Sequence, residues 1–109
     1  MYEERRHAQR YAFAATAEVD DSVCVCQARV ADLSITGAYL ALPDFFPKGA
    51  SVLVKIRTKR EFFQCRATVE HSSPHGIGVQ FHEIGPPFLI VLQEWLIGAM
   101  REPIADRHS

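Results

Sequence analysis

At 109 residues the chain has the length of one domain, and 48% apolar residues suffice for a core without disulfides or a structural metal. Charged residues make up 23% and the formal net charge is −1, which excludes a disordered chain and any global field for nucleic acid or an anionic membrane. Any anion site must therefore be local.

Phe13 to Val19 alternates, with Phe13, Ala15, Ala17 and Val19 on one side, the pattern of a half-buried strand. Asp20-Asp21-Ser22 supplies a turn, and Val23 to Ala31 reads as a second strand. Asp32 to Gly37 is a loop, strand character resumes over Gly37 to Leu42, and Pro43 to Gly49 is a connection. Ser51 to Thr58 alternates with Val52, Val54 and Ile56 inward. Phe63, Cys65, Ala67 and Val69 define the inner face of the next strand. Ser72 to Gly76 is a turn, and Ile77 to Phe81 the last strand. Six short strands at regular spacing predict a mainly β fold, a closed six-stranded antiparallel β-barrel without exposed edges.

Gly85-Pro86-Pro87 opens a predicted C-terminal helix from about Pro87 to Met100. On a helical wheel Phe88, Leu89, Val91, Leu92, Trp95, Leu96 and Ala99 form one broad stripe that should lie on the barrel. Residues 1–102 form the predicted domain, and 103–109 a polar, frayed tail. The charged start, Met1 to Arg6, leads into no apolar signal region, and the longest apolar run, Phe88 to Leu92, is too short to span a bilayer. With three cysteines, Cys24, Cys26 and Cys65, this predicts a cytoplasmic protein with reduced thiols and no membrane insertion.

Two stretches bear chemistry. Arg5-Arg6-His7-Ala8-Gln9-Arg10 puts three guanidiniums just before the first strand. Their planar forks suit phosphate and their faces stack on flat rings, although alone the cluster reads as a solvated terminal charge run, partly neutralised by Glu3 and Glu4. In Asp32-Leu33-Ser34-Ile35-Thr36-Gly37 an extended backbone would point Asp32 and Ser34 to one side. The carboxylate accepts from an N–H edge such as that of guanine, and Gly37 admits a close approach or a positive φ. Alone, this stretch reads as a turn in which Asp32 and Ser34 cap backbone amides.

Together, Arg-x-x-x-Arg at residues 6–10 and Asp-x-Ser-x-x-Gly at 32–37 resemble the PilZ family, as do Phe46-Pro47-Lys48-Gly49 before a strand and Ile77-Gly78-Val79-Gln80-Phe81 before the helix. The resemblance runs from residue 4 to about 100. It implies a six-stranded barrel that binds the bacterial second messenger cyclic di-GMP and is not an enzyme. Carried over by position, Arg6 and Arg10 clamp phosphate and guanine, Asp32 and Ser34 bond guanine, and Gly37 allows close approach. Arg5, outside the motif core, is placed to stack on a second ligand molecule.

A rival reading keeps the fold as a protein–protein interaction domain that does not bind the nucleotide. Cys24 and Cys26, one residue apart on one strand face, read as core residues; with His71 and His75 they match no standard zinc spacing, so no metal site or cofactor is expected. Ser34 lacks a nucleophile-elbow context, so catalysis is not expected either. Lys55, Arg57, Lys59 and Arg60 bracket a hairpin tip, and the strand faces lack the interleaved aromatics of nucleic-acid-binding barrels. Ile90 and Ile97 fall opposite the buried stripe of the helix, stacked seven residues apart. They predict a surface for a downstream protein partner or a homodimer through the helix.

Overall fold

A computed structural model describes residues 9–101. The elements run β1 (Tyr11–Ala12), β2 (Thr16–Asp20), β3 (Val25–Leu33), β4 (Gly37–Ala41), β5 (Ser51–Arg57), β6 (Phe62–Ser73), β7 (Gly76–His82) and α1 (Pro86–Arg101). All pairings are antiparallel, in the order β1-β3-β2-β5-β6-β7-β4. The additional pairing of β3 with β4 closes strands β2 to β7 into the six-stranded barrel, with β1 as one short extra strand on β3. Closure satisfies the ladder groups that an open sheet would leave as edges.

The alternation read from the sequence sets which side chains fill the barrel. Val52, Val54 and Ile56 of β5 and Phe63, Ala67 and Val69 of β6 have no solvent-exposed area. Leu33, Leu40, Val19 and Ile77 complete the centre from four other strands. The helix closes the barrel with Leu92, Trp95 and Leu96. The backbone N–H groups of Phe88 and Leu89 both donate to the Gly85 carbonyl at 2.9 Å, which caps the first turn behind the two prolines. Aromatic rings join helix to barrel: Phe63 lies 5.0 Å from Phe81, 6.2 Å from Phe88 and 6.4 Å from Trp95, and Phe13 lies 5.0 Å from Trp95. No helix among the described residues is long and apolar enough to cross a membrane.

The differences from the sequence reading have local causes. The first predicted strand begins three residues late, at Thr16, because Phe13 turns toward Trp95 and residues 13–15 lie outside the ladder; the short β1 precedes the predicted span. The second begins two residues late. The Asp21 carboxylate accepts from the backbone N–H groups of Val23 and Cys24, both at 2.9 Å, and holds them in the turn. Those bonds, Cys24's first, keep the Asp21 carboxyl below its ordinary titration range. Cys24 therefore precedes the strand and is exposed, not in the core; of this pair, Cys26 alone is buried. The strand also runs on to Leu33, and β6 on to Ser73, each past a bulge, at Ala31 and Glu70 respectively.

Candidate functional site

The bulge in β3 decides what the site can present. Before it, Cys26, Ala28 and Val30 point inward; after it, Leu33 does. Strict alternation from Val30 would aim Asp32 into the core. The extra residue, Ala31, shifts the register between Val30 and Asp32 and returns Asp32 to the outer face. Pairing of Tyr11 with Leu33 and of Ala12 with Asp32 then brings the residue before β1 to the same place. Arg10 Nη1 donates to Asp32 Oδ1 at 2.7 Å, across 22 residues of sequence, with the two side chains 53% and 33% exposed. This is the sole ion pair among the described residues.

Cross-strand register extends the face. Asp32 lies opposite Tyr39, Tyr39 opposite Gly78, and Gly78 opposite His71. Ala38, Leu40, Ile77 and Val79 are the inward neighbours, so Tyr39 and Gly78 face out with Asp32. The Tyr39 hydroxyl lies 3.3 Å from Ser73 Oγ. Arg29, exposed on the same strand as Asp32, adds a second cation to this outer face. Arg29 and Tyr39 did not stand out in the sequence, Gly78 only as part of the last-strand motif, and His71 only in a zinc set of no standard spacing. Their parity relative to the inward residues was the available signal, but it becomes usable only once the bulges are placed.

Ser34 sits differently from its expected place beside Asp32. It is 1% exposed, because the strand ends at Leu33 and the chain turns. Its Oγ accepts from the backbone N–H of Thr36 at 3.2 Å and of Gly37 at 3.1 Å, and donates to the Gly37 carbonyl at 3.2 Å. The Ser34 N–H donates to the same carbonyl at 2.8 Å. Asp32 caps no amide of this turn. Gly37 does not have a positive φ. A Cβ there would run into the backbone carbonyl oxygen of Val79 on β7, so the space it leaves is filled by the neighbouring strand. Gly37→Ala is expected to destabilise the fold by about 1–3 kcal/mol, the usual cost of overpacking against atoms that cannot give way. Thermal melting checks this; an unchanged melting temperature with weakened ligand binding would return Gly37 to a purely ligand-facing role. Arg5 and Arg6 lie outside the described residues.

A separate concavity of about 670 Å³ is lined by Ala14, Ala15, Thr16, Arg57, Lys59 and Arg60 among others. It contains neither Arg10 nor Asp32. Among the described residues, no three histidine, cysteine or carboxylate side chains converge as a metal site would require.

A search of curated protein sequences finds no match. Solved structures do match. The PilZ domain of YcgR from Escherichia coli, solved with c-di-GMP, superposes with a TM-score of 0.74 at 16% identity, over 90% of this chain and 93% of that one. The inhibitor of motility MotI/DgrA of Bacillus subtilis gives 0.73 at 17% identity, over 91% of this chain and 53% of that longer one. The PilZ domain of CeSA from a cellulose-synthesising bacterium gives 0.65 at 16% identity, over 85% and 99%. At such identities the likeness establishes the fold. The sequence model of the PilZ domain matches residues 4–98, most of the chain, and the chain belongs to the PilZ domain family.

Proposed function

We propose that this protein is a cytoplasmic cyclic di-GMP receptor that catalyses nothing and relays the level of the second messenger to a partner protein. The observation that supports it most is the Arg10–Asp32 pair. Two halves of a motif far apart in sequence meet on the outer barrel face, accessible and charged. A single surface ion pair is worth only about 0–1 kcal/mol, so a ligand can share or replace it at little cost. Arg10 then offers its remaining N–H donors to phosphate, and the second oxygen of Asp32 accepts from the N–H edge of guanine. Arg6 supplies the other guanidinium of the clamp, and Arg5 stacks on a second ligand molecule. Ser34 serves the site through the turn that it holds, and Gly37 by letting β4 lie close against β7.

Titration with cyclic di-GMP by calorimetry, with GTP as the control, tests this reading; no heat of binding with the folded protein would refute it. Asp32→Ala is expected to weaken binding by about 5- to 10-fold, the worth of one hydrogen bond to a charged group less what water restores. Asp32→Asn should keep part of the affinity through its amide oxygen. Melting curves of both variants should stay within about 1 kcal/mol of wild type, since the ion pair is exposed. Altered stability with unchanged affinity would assign Asp32 to the fold instead.

The relay reading is supported by the helix. Phe13, in the segment that follows Arg10 and β1, packs on Trp95 of α1. On the far side of α1, Ile90 and Ile97 are 56% and 48% exposed. A ligand that fixes Arg10 would bias how this segment sits on the helix, and the isoleucine face would present that change to a partner or to a second copy of the chain. Light scattering checks the homodimer. A dimer is expected at high micromolar concentration and should dissociate in Ile90→Glu/Ile97→Glu; a wild-type monomer would leave the face to a different protein.

A further inference from the structure

The three thiols stand in different surroundings. Cys65 is buried in β6, its Sγ 3.1 Å from the carbonyls of Arg66 and His82, and burial pushes its pKa up. Cys24 is exposed at the end of the β2–β3 turn, and its Sγ lies 4.0 Å from that of Cys26, the first inward-facing residue of β3. The pair sits at the opposite end of β3 from Asp32. The neighbouring Asp44 carboxylate, with burial, pushes the Cys26 thiol up to about 12.

We propose that Cys24 and Cys26 are a site of reversible oxidation, closing an intramolecular disulfide when the protein meets a peroxide. The roles follow from exposure and protonation. Cys24 is the thiol a solvent oxidant reaches, and as thiolate it attacks one oxygen of hydrogen peroxide. The S–O bond forms, the O–O bond breaks, and hydroxide leaves to become water with the proton released from Cys24. Cys24 is now a sulfenic acid. Cys26, held protonated beside Asp44, is a poor first nucleophile but touches the sulfenic sulfur. Its sulfur attacks, its proton passes to Asp44 and on to the departing hydroxide, the S–O bond breaks and the S–S bond forms. Two thiols and one peroxide thus give one disulfide and two waters.

The geometry permits this bond and makes it labile. With Cys24 in the turn and only one residue between them, the two Cα atoms are no more than about 7 Å apart, near the upper end of what a disulfide spans, and the sulfurs already lie 4.0 Å apart. The sulfurs must close from contact to about 2.05 Å, and Cys24, lying before the strand, is the residue that can rotate. A small ring held near its geometric limit is easily reduced, as regulatory rather than structural disulfides are. Val23 and Phe45, the most exposed large apolar side chains described, flank Cys24 and Asp44 in sequence, so closure would alter an apolar surface.

The test is peptide mapping of the reduced full chain after exposure to a few equivalents of hydrogen peroxide, with unreacted thiols alkylated after unfolding. The expected product has Cys24 linked to Cys26, two hydrogens lighter, with Cys65 still alkylated and all three thiols recovered in dithiothreitol. Cys24→Ser should leave Cys26 reduced. Cys26→Ser should stop Cys24 at the sulfenic acid, trapped by dimedone. Cys24 left reduced, Cys24 carried on to the sulfinic acid in wild type, or a dominant product linked between two chains would each overturn the proposal.

Discussion

Arg10→Ala is expected to weaken cyclic di-GMP binding by about 10- to 150-fold, equivalent to 1.5–3 kcal/mol for charge-assisted bonds to phosphate. The fold should barely register the change. Arg10 precedes β1, its side chain is 53% exposed, and its one described polar contact is the surface pair with Asp32. That pair contributes no more than about 1 kcal/mol, so the melting temperature and the affinity should separate cleanly. Arg10→Lys should fall between, because an ammonium keeps the charge but loses the planar fork. Arg6→Ala should match Arg10→Ala if both guanidiniums clamp one phosphodiester. Calorimetry at two salt concentrations checks the electrostatic origin, since the loss should shrink as screening rises. Unchanged affinity in a folded Arg6→Ala/Arg10→Ala variant would end the receptor assignment and favour the interaction-domain reading.

Side-chain parity was the part of this fold most legible in the sequence. The inward set Phe63, Cys65, Ala67 and Val69 and the helix stripe through Leu92, Trp95 and Leu96 could be read directly, because burial on one side imposes a period of two in strands and 3.6 in helices. Bulges break that period and were passed over, although one left a trace. Cys26, Ala28 and Val30 keep one parity while Leu33 takes the other. That offset carries the strand past Ala31 and turns Asp32 outward. Strand β1, two residues long, is too short to carry any period.

The site was half legible for a related reason. Residue types at 6–10 and 32–37 resemble a known pair of motifs, and this was enough to single out Arg10 and Asp32. Their contact depends on the register of β1 with β3, a tertiary fact. The same reading assumed that Asp32 and Ser34 share a side, which holds only in an extended chain. The chain turns after Leu33, so the hydroxyl faces into the turn and the carboxylate away from it. Cys24 failed in the same way. Its parity matched Cys26, but the Asp21 carboxylate keeps it out of the strand.

The largest loss of stability is expected from Phe63→Ala. Phe63 is the bulkiest side chain with no exposed area, and its ring is the hub between Phe81 of the barrel and Phe88 and Trp95 of the helix. Truncation removes the transfer free energy of the ring and leaves a cavity walled by aromatic faces, which cannot collapse into it without leaving their own packing. The cost should be about 3–5 kcal/mol, against a total of about 5–15 kcal/mol for a domain of this kind. Chemical denaturation should show the midpoint falling with the slope retained, as for a cooperative unit that has lost stability but not compactness. Phe45→Ala is the matched control, a phenylalanine 75% exposed, and should shift the midpoint by no more than about 0.5 kcal/mol. Because Trp95 touches both Phe63 and Phe13, the Phe63 variant should also loosen the contact between helix and N-terminal segment. Its single tryptophan would then emit at longer wavelength before global unfolding begins. A Phe63→Ala variant with wild-type stability and unchanged tryptophan emission would mean that the helix does not pack on this barrel as described.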